Sequence, residues 1–181
     1  MALIVEDGSA KADAEAYISA ADATTYHAAR ANAAWAALAS DAVRETYLRR
    51  ATDYMEQMYR SRWKGQRVTA TQALAWPRAW GEREDYYNTG SVPPDSVSGR
   101  YYYASNVVPT EVARACAELA LRAIDGDLLA DLEPPVTSET VGPISVQYAE
   151  GARQTKRYPA VDNLLAPLFE ASGGMIKVSR A

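Results

Sequence analysis

Two side chains of the sequence are obvious candidates for nucleophilic or acid–base chemistry: His27 and Cys116, each the single residue of its type. A Ser–His, Cys–His or zinc–His centre would have to use that one histidine. Its surroundings indicate a polar, partly exposed residue of a small helix. Cys116 lies on the apolar stripe of another helix, which favours a buried, inert thiol. We therefore expect no enzyme and no cofactor; a small hydrolase that uses His27 is the weaker alternative.

Acidic side chains form the next candidate site, a cation site. The cluster consists of Asp125, Asp127, Asp131 and Glu133. Carboxylates are the ligands of hard cations, but the spacing lacks the glycine-centred pattern of a calcium loop. A solvated acidic loop is the favoured interpretation, and no metal site is predicted.

Cations are concentrated in residues 41–80, which carry eight Lys and Arg residues against four acids, a local charge of +4 in a chain of net charge −4. Binding of single-stranded nucleic acid requires cations interleaved with aromatic side chains. Such a mixture is present in Arg60, Arg62, Trp63, Lys64 and Arg67. The acidic face of a neighbouring copy would suit the same charge. Because Trp63 and Trp76 lie where predicted helices end, packing in the core is the favoured role of these indoles.

Periodic apolar residues predict the elements that hold these candidates in place. Four main helices are predicted over residues 20–30, 42 to about 63, 109–125 and 159–169. Ser19 and Ser40 are the predicted N-caps of the first two. We expect a mainly α fold, a small helical bundle that forms a single domain over residues 1–181. No apolar run approaches the ~18 residues of a membrane span, and the first residues do not resemble a signal or transit peptide, so a cytoplasmic protein is expected.

The segment Gln72-Ala-Leu-Ala-Trp-Pro-Arg78 separates two of the predicted helices. Pro77 lacks an N–H group and disfavours the helical conformation of Trp76, so a helix must stop or bend there. A short helical turn is predicted over residues 69–76. The segment as a whole predicts a rigid, packed corner.

The remaining segments predict extended structure. Residues 81–108 hold five of the twelve tyrosines among Gly, Pro and Ser residues, a composition typical of a binding loop. Alternating apolar residues over 136–148 predict a β-hairpin. Residues 171–181 read as an extended tail that could add a strand to a partner.

Several segments, taken together and in order, resemble the head–tail connector proteins of tailed bacteriophages, also called neck adaptors or head-completion proteins. They are Ala2-Leu-Ile-Val-Glu-Asp-Gly8, the helix end from Tyr54 to Trp63-Lys-Gly65, Gln72-Ala-Leu-Ala-Trp-Pro-Arg78, Val108-Pro109, Asp127-Leu-Leu129 and Val141-Gly-Pro-Ile-Ser-Val146. Relatives of these proteins also carry the label of DnaT-like single-stranded-DNA-binding proteins. The 81–107 loop departs from the shorter connection expected of the family, so its role cannot be carried over.

The resemblance implies a structural virion protein in the neck, assembled in the host cytoplasm. Its expected partners are eleven further copies in a dodecameric ring, the portal protein, and a stopper or tail-completion protein. Packaged double-stranded DNA would pass through the channel without sequence-specific binding, and no membrane is involved. The alternative is a DnaT-like accessory protein of replication that binds single-stranded DNA.

These expectations assign roles to individual residues. Portal binding is assigned to the tail residues Gly173, Gly174, Met175, Ile176, Lys177, Val178 and Arg180. The ring or tail-side interface is assigned to Tyr86, Tyr87, Tyr101, Tyr102, Tyr103, Ile144, Val146 and Tyr148. Contacts with a neighbouring subunit or with DNA are assigned to Arg49, Arg60, Arg62, Lys64 and Arg67. A structural role is assigned to Trp63, Gln72, Trp76 and Pro77.

Overall fold

The computed structural model describes residues 2–83, 96–97, 100–130, 136–140, 145–148 and 156–170, with side chains for 2–83, 101–130 and 156–170. The helices are α1 (Ala20–Ala28), α2 (Ala33–Ala36), α3 (Asp41–Tyr59), α4 (Thr110–Arg122) and α5 (Pro159–Leu165), with a 3-10 turn at Ala166–Leu168. The strands are β1 (Gln66–Arg67), β2 (Arg78–Ala79), β3 (Ser96–Val97), β4 (Arg100–Tyr101), β5 (Val136–Thr140) and β6 (Ser145–Tyr148). They pair antiparallel as β1–β2, β3–β4 and β5–β6. The predicted mainly helical fold with a short β-hairpin is confirmed.

Local signals set the starts of the first long helices as predicted. The Ser19 hydroxyl accepts a hydrogen bond from the Asp22 N–H at 3.0 Å, and the Ser40 hydroxyl accepts one from Val43 at 3.4 Å. Both contacts satisfy N–H groups that a helix leaves without partners in its first turn. None of the described helices has the length and apolarity that crossing a membrane requires.

The core is centred on the contact between α3 and α4. Leu48 and Met55 of α3 and Val112 and Leu119 of α4 belong to one hydrophobic cluster, and all four side chains are fully buried. Cys116 is buried in the same contact, where burial raises the pKa of its thiol to about 11. A protonated, enclosed thiol is a poor nucleophile, as the sequence predicts for this residue.

His27 was expected to be partly exposed, and this prediction is wrong: only 1% of the residue is accessible. Its Nε2 lies 3.1 Å from the Ala117 carbonyl oxygen of α4, and its Nδ1 lies 2.9 Å from the amide nitrogen of Asn32. The ring also packs on Trp35, with 4.6 Å between centroids. Because both ring nitrogens have partners, the imidazole can be buried at little cost and joins α1 to α4.

Helix α3 ends at Tyr59, before the predicted end near Trp63. Beyond the helix, the chain pairs with the C-terminal segment. The Lys64 N–H donates to Leu168 O at 2.9 Å, and the Glu170 N–H donates to Arg62 O at 2.7 Å. These long-range bonds replace the helical bonds that the sequence pattern alone would predict.

The predicted helical turn over residues 69–76 is absent; these residues form bends. The Gln72 side chain accepts from the Thr69 N–H at 2.9 Å and donates to Leu74 O at 2.8 Å and to Pro77 O at 3.0 Å. Side-chain bonds of this kind compete with the backbone bonds of a helix. Gln72 therefore closes residues 69–77 into a compact loop between β1 and β2, and the Trp76–Pro77 peptide bond is cis.

Substitution of the single histidine should change how stability depends on pH. Burial lowers the pKa of His27 below its ordinary value of 6.5. At a pH between the lowered pKa of the folded protein and the ordinary pKa of about 6.5 in the unfolded chain, the unfolded chain binds more protons than the folded chain. The free energy of unfolding therefore decreases as the pH falls below about 6.5. Urea titrations from pH 8 to pH 5 measure the slope of the free energy of unfolding against pH. His27→Gln should reduce this slope relative to the wild type, by at most about 1.4 kcal/mol per pH unit. An unchanged slope would contradict the assigned environment.

Trp76 of the corner and Trp80 just after it provide a matched pair for stability measurements. Trp76 is completely buried, whereas Trp80 is 62% exposed. Trp76→Ala should reduce the free energy of unfolding by about 3–5 kcal/mol because it empties a core position. Trp80→Ala should cost much less. Chemical denaturation measures both, and equal losses would show that the two indoles do not differ in packing.

Candidate nucleic-acid interface

Trp80 is the most exposed of the large apolar side chains in the described parts of the chain. Its backbone has φ 63°, a left-handed conformation that is uncommon for residues other than glycine. The indole meets the ring of Tyr102 edge to face, at a centroid distance of 5.6 Å and an interplanar angle of 85°. Each ring therefore keeps at least one broad face that the other does not cover.

The position of Trp80 is set by a close approach of two backbone segments. Gln66 and Ala79 are paired in the β1–β2 ladder, which places Gly65 against Trp80. A Cβ atom on Gly65 would lie 2.3 Å from Ala79 O and 2.8 Å from Trp80 C, and Gly65 itself has φ 72°. Only glycine fits here without moving the backbone that carries the indole.

Arg78 holds the same segment from the inside of the molecule. Its buried guanidinium donates to Lys64 O at 2.8 Å and to Gly65 O at 2.6 Å. This cation therefore serves as a structural cross-link between β2 and the residues before β1. The two strands are short, and these side-chain bonds add to their few backbone bonds.

Behind Trp80, two side chains hold the peptide groups of the corner. The Ala75 N–H donates to the Tyr17 hydroxyl at 3.0 Å and to the Glu56 carboxylate at 2.9 Å, and the Trp76 N–H lies 3.3 Å from the same hydroxyl. The Tyr17 hydroxyl in turn donates to Glu56. Burial, together with Glu56, raises the pKa of Tyr17, so the phenol stays protonated and can donate.

Residues 81–83 and 101–103 pair at the base of the tyrosine-rich loop. Glu82 forms a bridge with Tyr102, while the Arg83 N–H donates to Tyr101 O at 2.8 Å. The exposed Arg83 guanidinium lies 4.9 Å from the ring centroid of Tyr103. The resulting site, formed by Trp80, Tyr102 and Arg83, is called the Trp80 surface below.

The structure does not bring the five predicted basic residues together on this surface. Arg49 pairs with Glu15 at 2.9 Å. Arg62 lies 3.6 Å from Asp162 and 4.0 Å from the ring centroid of Phe169. Lys64 is buried and donates to the Pro167 carbonyl at 3.0 Å, whereas Arg60 is exposed and Arg67 is half-buried.

The other predicted interface and structural residues are either buried in the core or lie outside the described part of the chain, apart from those at the base of the loop. Trp63 and Trp76 are buried and touch each other, with 5.8 Å between ring centroids, and Gln72 and Pro77 are buried beside them. Tyr103 packs on Trp76 at 6.0 Å. Outside the described residues lie Tyr86, Tyr87, Ile144, Gly173, Gly174, Met175, Ile176, Lys177, Val178 and Arg180, and for Val146 and Tyr148 only the β6 backbone is described.

Among the described residues, no group of His, Cys, Asp and Glu side chains could hold a metal ion. Of the acidic cluster, Asp125 and Asp127 follow α4, and the Asp127 carboxylate accepts from the Leu129 N–H at 3.1 Å. It also lies 3.8 Å from Arg50. Asp131 and Glu133 lie outside the described residues.

Sequence reasoning missed Trp80. The sequence carried a signal, because Trp80 directly precedes Gly81 at the start of the tyrosine-rich loop and lies only two residues after Arg78, the last residue of the rigid corner. An indole in such a position is not part of any helical stripe. Its place outside any apolar helical pattern is thus the feature that marks Trp80 as a candidate for exposure in this sequence.

Comparison with known proteins identifies the family. A family model described as "Putative DnaT-like ssDNA binding protein" matches residues 1–181, the whole chain. No curated protein and no solved structure gives a significant match. The match supports the DnaT-like label and lends no support to the head–tail connector identity. The chain belongs to the family of DnaT-like ssDNA-binding proteins.

Proposed function

We propose that this protein binds single-stranded DNA and that the Trp80 surface supplies the stacking contacts. The observation that carries the proposal is the exposure of Trp80, 62%, in a left-handed backbone conformation. Conformations of this kind are costly and are concentrated at functional sites. Here the conformation is maintained by the close approach of Gly65 and by the Arg78 cross-link.

The chemistry of the surface suits a single strand. Unpaired bases expose their ring faces, and stacking of a base on an aromatic side chain contributes about 1–3 kcal/mol without regard to sequence. The exposed indole of Trp80 and the half-buried ring of Tyr102, which meet edge to face, provide such a platform. Arg83 is exposed close to this pair in the chain and offers a cation to the phosphate backbone. Family membership names the same ligand class.

Trp80→Ala should weaken the binding of a fluorescently labelled oligothymidine by about 5- to 150-fold, the equivalent of about 1–3 kcal/mol. Fluorescence anisotropy at low and moderate salt measures this, since binding to phosphates weakens as salt rises. Trp80→Phe should retain most of the affinity. Val43→Ala removes another exposed apolar side chain and is the matched control. Equal affinities of the wild type and Trp80→Ala would exclude the Trp80 surface.

The second candidate is the ring-forming head–tail adaptor implied by the sequence resemblance. The exposed indole favours this candidate too, because a neighbouring copy in a heterologous ring would cover it. In this role the subunits would bind the portal on one side and a stopper or tail protein on the other. No catalytic step is involved in either candidate function.

Light scattering after gel filtration, followed by electron microscopy of the protein mixed with portal, tests the adaptor. The adaptor function predicts rings of this chain and smaller species for Trp80→Ala. It also predicts loss of co-sedimentation with portal when residues 173–181 are deleted. A protein that stays monomeric at high concentration and does not sediment with portal would contradict the adaptor function. That result would leave the DNA-binding proposal intact, since the two assays share no component except the protein.

A further inference from the structure

A second concave site lies between the C-terminal half of α3 and α5. Its volume is about 330 Å³. The described residues that line it are Tyr54, Met58, Tyr59, Arg62, Arg157 and Asp162. A volume of this size is at the lower end of the range found for small-molecule sites in proteins. The DNA-binding proposal based on Trp80 does not use this pocket.

The charges in the pocket favour a ligand with one negative charge. The pocket is lined by two cations, Arg62 and Arg157, and by one carboxylate, Asp162, which leaves one positive charge in excess. Arg62 is held in place by Asp162 at 3.6 Å and by the ring of Phe169. Arg157 is exposed and makes no ion pair with any side chain in the described ranges. A phosphodiester, which carries one negative charge, matches this balance.

The walls of the pocket are aromatic and apolar. The rings of Tyr54 and Tyr59 meet edge to face at 5.8 Å, and Tyr158 extends this cluster from Tyr54 at 5.4 Å. Met58 is half-buried and offers an adaptable apolar contact. These are the contacts that a nucleobase makes when it leaves a base stack for a protein pocket.

Tyr59 adds a buried hydroxyl beside Asp162. The residue is 2% exposed, and its hydroxyl interacts with Tyr54 and Asp162 but makes no hydrogen bond of good geometry within the described part of the chain. Burial, with smaller contributions from Tyr54 and Asp162, raises the pKa of Tyr59. The phenol therefore stays protonated at neutral pH. A buried donor without a well-formed hydrogen bond is costly, so this hydroxyl is a weakly satisfied group in the wall of the pocket.

We infer that this pocket takes one nucleotide of a bound single strand, with the phosphodiester on Arg157 and the base against Tyr54, Met58 and Tyr59. The inference rests on the proposed DNA binding and adds a second contact to it. An aromatic row connects the two sites: Tyr59, Trp63, Trp76 and Tyr103 touch in turn, with 5.8–6.0 Å between successive ring centroids. Trp63 and Trp76 in this row are buried, so the row gives the two sites a common base and the strand itself would contact only the sites at its two ends.

The direct test uses the dinucleotide TpT, which carries one phosphodiester, and protein with ¹³C-labelled methionine methyl groups. The Met58 methyl resonance should shift on titration, whereas Met55, fully buried in the core, should not. Thymidine, which lacks the phosphate, should shift Met58 far less. Arg157→Ala should weaken TpT binding at least several-fold, and unchanged thermal melting would show that this exposed substitution leaves the fold intact.

A second measurement uses the oligothymidine. Arg157→Ala should reduce the slope of log affinity against log salt by about 0.7, the value for one phosphate contact on a single strand. Trp80→Ala should leave that slope unchanged. If Met58 does not respond to TpT and Arg157→Ala leaves the slope as it was, the pocket inference is wrong.

The two proposals fail separately. Oligothymidine binding that is lost in Trp80→Ala, with a silent Met58, would leave the Trp80 surface as the binding site and remove the pocket. A Met58 shift that persists in Trp80→Ala, with undiminished oligothymidine affinity, would retain the pocket and remove the Trp80 surface.

Discussion

The arrangement of this protein depends on how the corner around Trp76 is held. Tyr17 and Glu56 receive the N–H groups of Ala75 and Trp76, and Gln72 binds the backbone on either side of them. Buried peptide groups without partners would cost several kcal/mol, so a loop that is not helical can only be buried if side chains satisfy it. The corner thus becomes part of the core, and the residues that follow it emerge in one defined direction.

This constraint explains why the two candidate sites lie at opposite ends of one aromatic row. Trp63 and Trp76 fill the centre of the row and are inaccessible. Trp80 leaves the core immediately after the corner, and Tyr59 borders the pocket at the other end. The buried rings give the sites a rigid common base, because a packed aromatic interior deforms little.

Charge is distributed in a way that the local excess of +4 in residues 41–80 does not reveal. Arg44, Arg49 and Arg62 each pair with an acid, and Arg78 and Lys64 bind backbone carbonyls. Most of the basic stretch therefore balances charges and dipoles within the subunit. The cations that are open to a phosphate are fewer, and Arg83 and Arg157, outside that stretch, are among them.

The sequence by itself determined the features that depend on neighbouring residues. Helix caps at Ser19 and Ser40, the stripe of α4 that buries Cys116 and the interruption at Pro77 all follow from local spacing and backbone sterics. Tertiary structure decided the features whose partners are distant in the chain. His27 is buried because Ala117 accepts its hydrogen bond, and α3 ends early because Leu168 accepts a hydrogen bond from Lys64. Which tryptophan faces solvent was likewise decided by contacts between residues far apart in sequence, which no local pattern encodes.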